Sequence, residues 1–268
     1  MKYALVNNQT LEALPGGKGA CRGCGGDVIA KCGAVRIHHW AHLGRRDCDP
    51  WWEPETEWHR RWKNHFAAEY QEFIQYDERS GEKHIADIRT GHGLVVEFQH
   101  SHLDPAERTA RERFYRNMLW VVDGTRLRRD FPRFLKGKED LRRTNNQGFF
   151  LHSFPDECFP TMWLDSSVPV VFDFWGGEEV ENQDVWKDTL WCLLPGRADG
   201  QAVVVGMSRE QFIAIVPSRP QLLDAHGIVA KFTQLIREMR AADERLYRQQ
   251  RLLSIAATKR QRRAFRRF

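Results

Sequence analysis

Residues 84–99 read His84-Ile-Ala-Asp-Ile-Arg-Thr-Gly-His-Gly-Leu-Val-Val-Glu-Phe-Gln99 and predict two short strands joined by a Gly-His-Gly turn. Side chains alternate along a strand, so Glu97 and Gln99 share one face of the second strand, while Asp87 lies on the first. The second strand is an apolar run typical of a buried strand, where an acid is costly unless a cation pairs with it. These residues predict a metal pocket suited to phosphodiester cleavage; the alternative is a half-solvated hairpin with ordinary surface acids.

A helix is predicted before this hairpin. Trp58, Trp62 and Phe66 recur every four residues and form one apolar stripe. Glu55 or Thr56 stands where the helix cap belongs. A row of polar residues at positions i, i+4 and i+8 runs beside the stripe and consists of Glu55, His59 and Lys63. We expect this row to face the same point as the two acids.

The elements around the hairpin follow a recognisable order. A strand is expected over residues 70–76, and a charged helix from Asp104 to about Asn117 is followed by a buried strand over 118–123. The chain therefore reads helix, three strands, helix, strand. This αβββαβ order matches the restriction-endonuclease-like core of the PD-(D/E)XK nucleases, a fold of the α/β (α+β) class.

Four of the six cysteines lie in the first fifty residues, where metal ligation is a better interpretation than disulfides. Cys21-Arg-Gly-Cys24 and His39-Trp-Ala-His42 form a C-x2-C-x14-H-x2-H pattern with the four N/S ligands that Zn²⁺ prefers. We predict a structural zinc site at Cys21, Cys24, His39 and His42. The spare donors that could replace one of these four are Cys32, Cys48 and His38.

Composition and charge narrow the class of protein. The net charge is +5, and residues 245–268 hold nine Lys/Arg and no Asp/Glu, which favours contact with a polyanion over a role in solubility alone. No stretch approaches the roughly 18 apolar residues of a membrane span, and the first ten residues turn polar too soon for a secretory signal. A Gly-Lys-Ser/Thr phosphate loop is absent from the sequence. We expect a cytoplasmic protein without membrane contact.

The second half of the chain predicts strands over residues 162–164, 168–174, 190–194 and 202–205. These strands could form a small module of their own or enlarge the central sheet. A short helix is expected after Ser208 as its N-cap, and a long helix from Gln221 into the basic tail. Four tryptophans are assigned to the core rather than to exposed base stacking: Trp163, Trp175, Trp186 and Trp191.

Eight motifs taken together point to one family. Spread over roughly residues 20–210, they are Cys21-x-x-Cys24, His39-Trp-Ala-His42, Glu55-Thr-Glu-Trp-His59-x-x-x-Lys63, Ala86-Asp87, Glu97-Phe-Gln-x-Ser101, Arg111-Glu-x-Phe-Tyr115, Leu119-Trp-Val-Val122 and Val168-Pro-Val-Val-Phe-Asp173. The chain resembles the CoiA-like competence proteins, a bacterial branch of the PD-(D/E)XK superfamily. The resemblance implies a zinc-binding front end followed by a divalent-metal nuclease core. We therefore divide the chain into a zinc-binding knuckle (1–50), a nuclease core (51–150), a β-rich extension (151–218) and a long helix with a basic tail (219–268).

The resemblance also implies roles for individual residues. Asp87, Glu97 and the backbone carbonyl of Phe98 would hold Mg²⁺ or Mn²⁺, and Gln99 stands where the superfamily has lysine. Lys63 could supply that positive charge, Glu55 could complete the metal shell, and His59 could handle protons or simply donate a structural hydrogen bond. Three further side chains could contact phosphate or pack in the core: Ser101, Arg111 and Tyr115.

The expected partner is DNA, single- or double-stranded, and a homodimer remains open. Our first hypothesis is a Mg²⁺- or Mn²⁺-dependent deoxyribonuclease in DNA processing or defence. The alternative is a catalytically inactive, zinc-containing protein that binds DNA and handles single strands, because glutamine can only hydrogen-bond where lysine brings a charge.

Overall fold

The computed structural model describes residues 1–44, 48–78, 81–174 and 188–265, and side chains as far as residue 256. Within these ranges the protein is a mixed α+β structure with two β-sheets and five α-helices, which confirms the predicted fold class. The predicted core positions Trp175 and Trp186 lie outside the described residues. Across the described ranges, no helix has both the length and the apolar character that crossing a membrane requires.

The N-terminal region forms an antiparallel five-stranded sheet with the order β2-β1-β3-β4-β5. Its strands are β1 (Tyr3–Val6), β2 (Gln9–Glu12), β3 (Lys18–Ala20), β4 (Asp27–Lys31) and β5 (His39–His42). Ala4, Val28 and Trp40 form a small core beside Cys21. The sequence predicts only a knuckle here, because strands of three to five residues are too short to show a clear alternation.

The central sheet has nine strands in the order β10-β11-β14-β13-β12-β9-β8-β7-β6. They are β6 (Gln71–Tyr76), β7 (Lys83–Arg89), β8 (Val95–Gln99), β9 (Met118–Asp123), β10 (Arg142–Arg143), β11 (Phe149–His152), β12 (Val170–Asp173), β13 (Thr189–Leu193) and β14 (Ala202–Ser208). Strand β9 runs parallel to both β8 and β12, while the other neighbours are antiparallel. The strands of the second half therefore enlarge the central sheet rather than form a separate module.

Five helices cover this sheet: α1 (Glu57–Lys63), α2 (Pro105–Tyr115), α3 (Asp130–Gly137), α4 (Arg209–Ile215) and α5 (Ala225–Phe265). The order α1-β6-β7-β8-α2-β9 is the predicted helix, three strands, helix and strand. Ser208 is the N-cap of α4, as predicted. The strand predicted at residues 162–164 is wrong: the chain forms a 3₁₀ turn over Thr161–Trp163, started by Pro160, whose carbonyl accepts the Trp163 N–H.

The central sheet divides the core into two layers, and helices pack on each of its faces. Trp58 and Trp62 of α1 pack on one face with Phe98 and the start of α5, and Phe134 of α3 packs on the other. Helix α5 spans 41 residues, roughly 60 Å. Its first turns bury Phe232, whereas large apolar side chains from position 239 onward, as far as side chains are described, are exposed.

Candidate functional site

The two predicted acids meet where strands β7 and β8 separate. The backbone pairing between these strands ends at the pair Ile88–Val96. Beyond it, the Asp87 N–H donates to Glu97 Oε1 (3.1 Å), and the Phe98 N–H donates to Asp87 Oδ2 (3.0 Å). Carboxylates thus replace the backbone carbonyls that would otherwise satisfy these amides. The local opening of the sheet brings both acids to one point, as the hairpin predicted.

Lys63 places a positive charge beside these acids. Its Nζ lies 2.8 Å from Glu55 Oε1 and 3.4 Å from both Glu72 Oε1 and Asp87 Oδ1. Burial alone would lower the pKa of Lys63, but the carboxylates of Glu72, Asp87 and Glu55 outweigh it and raise the pKa above its usual range. Lys63 is therefore a fixed cation that three acids share.

Glu55 belongs to the same charge cluster, although it lies outside α1. The helix begins at Glu57 with Thr56 as its N-cap, so the predicted row at i, i+4 and i+8 is only partly helical. Burial would raise the pKa of the Glu55 carboxyl, but Lys63 and Arg60 lower it to about 2. A carboxylate already paired with two cations is a weaker candidate for a metal shell than Asp87 or Glu97.

His59 is engaged at both ring nitrogens. Its Nε2 lies 2.8 Å from the Phe98 carbonyl oxygen, so Nε2 carries the proton, and Nδ1 accepts from the hydroxyl and N–H of Thr56. Burial is the main cause of a lowered His59 pKa. The ring is thus neutral and holds in place the carbonyl that was predicted as a metal ligand. This geometry favours the structural role that the sequence left open over a proton donor.

The amide nitrogen of Gln99 donates its hydrogens to groups other than Asp87 and Glu97. Its Nε2 lies 2.8 Å from Glu53 Oε1 and 3.1 Å from the carbonyl and hydroxyl oxygens of Ser101. Ser101 Oγ also donates to Glu53 Oε2. Since the amide nitrogen is used in this way, only the Gln99 Oε1 atom remains to act on a ligand in the cleft.

Arg111 and Tyr115 lie behind the acids instead of reaching solvent. Arg111 Nη1 lies 3.2 Å from Glu97 Oε2, and Nη2 donates to the Trp51 carbonyl (2.8 Å). Burial and the nearby Glu97 charge raise the pKa of Tyr115, which is 5% exposed. Tyr115 therefore packs inside the protein, whereas Arg111 lines the cleft, where its guanidinium is paired with Glu97.

The surroundings of Glu97 disfavour its ionised form. Burial and the adjacent Asp87 raise the Glu97 pKa to about 8, and the Arg111 guanidinium offsets only part of that shift. Two acids that cannot both ionise without an added cation are a donor set that fits a divalent ion.

All six predicted catalytic side chains line one cleft of about 350 Å³: Glu55, His59, Lys63, Asp87, Glu97 and Gln99. The opposite wall belongs to the N-terminal region and includes Trp40, His42 and Cys48. The sequence separates these two groups by up to about sixty residues, and the fold brings them to a common space.

The N-terminal cysteines form a four-donor cluster that could bind zinc. The ligand atoms of Cys21, Cys24, His42 and Cys48 all lie within 4.8 Å of one another. The Cys21 and Cys48 sulfurs are 3.7 Å apart, close to the ~3.8 Å expected for a tetrahedron with Zn–S bonds of about 2.3 Å. The Gly23 N–H donates to the sulfur of Cys21, and the Gly26 N–H donates to the sulfur of Cys24. Gly25, which follows Cys24, adopts φ +71°, a left-handed value that favours glycine.

The fourth donor differs from the prediction: Cys48 takes the place of His39. His39 and His42 are three residues apart on β5, so their side chains lie on opposite faces and only one can join the cluster. His42 Nε2 lies 3.3 Å from Cys24 Sγ, whereas His39 Nδ1 lies 2.9 Å from the Ile37 carbonyl oxygen. Burial and the adjacent thiols raise the pKa of Cys48 to about 12.

Sequence reasoning missed three acids at the site. Glu72 accepts the backbone N–H groups of Lys2 (2.6 Å) and Tyr3 (3.0 Å), and it adopts φ +48°, a strained value for a non-glycine residue. Asp49 binds His84, and Glu53 binds Gln99. A position next to Cys48 could have drawn attention to Asp49, and a position directly after Trp51 and Trp52 to Glu53. No local signal distinguishes Glu72.

Comparisons with known proteins bear on the N-terminal region. A family model described as competence protein CoiA, N-terminal domain, matches residues 4–50. The comparisons with curated proteins and with solved structures give no match. The matched range contains all four donors of the cysteine–histidine cluster. It ends before Glu55, the first residue of the acid cluster formed by Glu55, Glu72, Asp87 and Glu97. Over residues 4–50, the chain is thus similar to the N-terminal domain of competence protein CoiA.

Proposed function

We propose that this protein is a metal-dependent nuclease that hydrolyses DNA phosphodiester bonds in the cleft at Asp87 and Glu97. The observation that carries the proposal is the meeting of these two carboxylates where β7 and β8 separate, with the Lys63 cation 3.4 Å from Asp87. The order α1-β6-β7-β8-α2-β9 supports a core of the PD-(D/E)XK, restriction-endonuclease-like type.

Asp87, Glu97 and the Phe98 carbonyl would hold Mg²⁺ or Mn²⁺, which prefer oxygen ligands. When bound, such an ion would supply an activated water and offset charge on the phosphate. The protein's own residues do the rest: Lys63 offsets negative charge that develops on the phosphate oxygens, and His59 orients the Phe98 carbonyl. Gln99 replaces the superfamily lysine without its charge, and Lys63 carries that charge from α1.

We further propose that the Cys21, Cys24, His42 and Cys48 cluster holds a structural Zn²⁺. Four donors complete the tetrahedron and leave no open position, which is typical of structural rather than catalytic zinc. The ion would tie the Cys48 loop to the N-terminal sheet, and this loop continues into the cleft wall at Asp49.

The test is incubation with linear, circular and single-stranded DNA, with and without Mn²⁺. We expect cleavage that requires the added ion and that falls by about 10²–10³ or more in Asp87→Ala, by analogy with loss of one electrostatic stabiliser. Asp156→Ala, which changes an exposed aspartate outside the cleft, is the matched control. An Asp87→Ala protein that retains zinc and still cleaves DNA would refute the assignment.

A second candidate function is a non-catalytic DNA-binding protein. The ion pair between Arg111 and Glu97 favours it, because an internal cation can neutralise an acid that then needs no metal. In that case DNA affinity would be independent of Mn²⁺, and no cleavage would occur in any arm of the experiment.

A further inference from the structure

We infer that the cleft accepts a single strand of nucleic acid and excludes a duplex, with Trp52 stacking on one base at its edge. The inference rests on the proposed function, since it assigns the substrate class of the same cleft. It depends on three features: a wall contributed by the N-terminal region, the attachments that hold this wall, and the size of the space beneath it.

The N-terminal wall is fastened to the central sheet at strand β6. The Glu72 carboxylate accepts the N–H groups of Lys2 and Tyr3 at the start of β1. The Lys2 ammonium donates to Asn64 Oδ1 (2.6 Å) and to Gln71 Oε1 (2.8 Å). Lys2, Gln71 and Glu72 are all buried, so water does not compete for these bonds.

A second attachment joins the cysteine–histidine cluster to strand β7. Asp49, next to the Cys48 donor, accepts the Ile85 N–H through Oδ2 (2.7 Å) and lies 2.9 Å from His84 Nδ1 through Oδ1. Lys83 Nζ donates to the carbonyl of Gly23, inside the Cys21–Cys24 turn (2.7 Å). Attachments on both β6 and β7 hold the N-terminal wall opposite Asp87.

The cleft is narrow compared with a double helix. Its volume is about 350 Å³, whereas B-DNA, whose two grooves are roughly 8.5 and 7.5 Å deep, is at least about 16 Å across. Glu97 is only 4% exposed, so a scissile phosphate must enter the cleft to reach it. A single strand, or an unpaired end, can place one nucleotide there; paired bases would have to separate first.

Trp52 supplies the aromatic surface that single-strand binding uses. It lines the cleft and is 53% exposed, while its neighbour Trp51 is stacked on His84 and packed against Phe114. The Trp52 N–H donates to the Asp49 carbonyl (3.1 Å), which fixes the backbone at this position. Because every base has a π-face, stacking on such a side chain is tolerant of sequence.

The first experiment measures binding without cleavage. Full-length, zinc-loaded Asp87→Ala protein is titrated with a fluorescent oligonucleotide, either single-stranded or annealed to its complement, in the presence of Mg²⁺. We expect the single strand to bind at least about tenfold more tightly than the duplex. Equal or tighter binding of the duplex would overturn the inference.

The second experiment tests Trp52 in the same background. We expect Trp52→Ala to weaken single-strand binding by about 5- to 150-fold, the range that stacking of one base spans, and Trp52→Phe to retain most of the affinity. Phe154→Ala is the matched control, since Phe154 is 64% exposed and lies outside the cleft. Affinity in Trp52→Ala equal to that in Phe154→Ala would contradict the assignment.

Cleavage by the unmodified protein separates this inference from the proposed function. Circular single-stranded and circular duplex DNA are offered with Mn²⁺. Duplex cut as fast as single strand would overturn the inference and leave hydrolysis standing. Selective, Trp52-dependent binding with neither circle cut would refute hydrolysis and leave strand selection standing.

Discussion

The protein carries two donor clusters that differ in how they manage their own charge. The N-terminal cluster concentrates three thiols and one imidazole. Burial would raise the pKa of Cys24, but hydrogen bonds with the Gly26 N–H and with the other two thiols, and then the Lys83 charge, lower it. The acid cluster contains built-in cations, since Lys63 contacts Glu55, Glu72 and Asp87, and Arg111 contacts Glu97.

From this difference we expect the N-terminal cluster, but not the acid cluster, to depend on a bound ion for its structure. Thiols that approach within 3.7 Å of each other can all ionise only if a metal offsets their charge, so the N-terminal fold and zinc should be inseparable. The acid cluster is held together by its own lysine and arginine. It can therefore exist without a divalent ion.

The largest expected effect comes from removing zinc ligands. Because structural zinc contributes roughly 10–16 kcal/mol to folding of such sites, His42→Ala should lose the metal and unfold the N-terminal sheet. His39→Ala should retain both, since His39 lies on the other face of β5. Zinc content per chain and thermal unfolding measure this, and loss of zinc in His39→Ala but not in His42→Ala would restore the original ligand set.

The next effect concerns the built-in cation of the acid cluster. Lys63→Met leaves three acids around a neutral side chain and should destabilise the protein by about 3–5 kcal/mol in urea unfolding. Added Mg²⁺ should recover part of this loss, because a divalent ion can replace the missing charge. Arg61→Met, at an exposed position of the same helix, is the control; equal losses in both variants would show that Lys63 is not the organising cation.

Low pH should lower the unfolding free energy because the Glu55 carboxylate becomes protonated. The folded pKa of Glu55 is about 2, below the ordinary value of 4.5, so its stabilisation is complete above pH 4.5 and is lost as pH falls towards 2. The difference corresponds to about 3 kcal/mol at most. Glu55→Gln should therefore flatten the dependence of unfolding free energy on pH between 5 and 2.5, whereas exposed Glu69→Gln should follow the unmodified protein.

The smallest expected effect concerns Thr56, the N-cap of α1. Thr56 and Ser208 are both N-caps in capping boxes, so replacing either with alanine should cost about 1 kcal/mol. Only Thr56→Ala should also change DNA binding, because Thr56 orients His59 and, through it, the Phe98 carbonyl. Identical DNA affinities for the two variants would show that the cap has no influence beyond its helix.

The central half of the fold was predictable because its signals are local. Strand β9 has the predicted bounds, and the β7–β8 hairpin and α2 differ by only a few residues, since alternation, the Gly-His-Gly turn and the Asp104 cap are encoded side by side. The short strands β1–β5 and the 3₁₀ turn at Thr161 were missed because three to five residues do not establish a period.

The sequence shows which chemical groups each part of the chain contains. Thiols and imidazoles that suit zinc lie in the first fifty residues, carboxylates and Lys63 lie in the next sixty, and the last residues are rich in lysine and arginine. Tertiary structure alone decided that Cys48 replaces His39, that Glu72 fastens the N-terminal strand, and that both regions face one cleft. These features depend on contacts between residues that are far apart along the chain. Composition and periodicity report on neighbours along the chain, whereas a shared charge or a shared wall depends on distances between residues that only packing brings together.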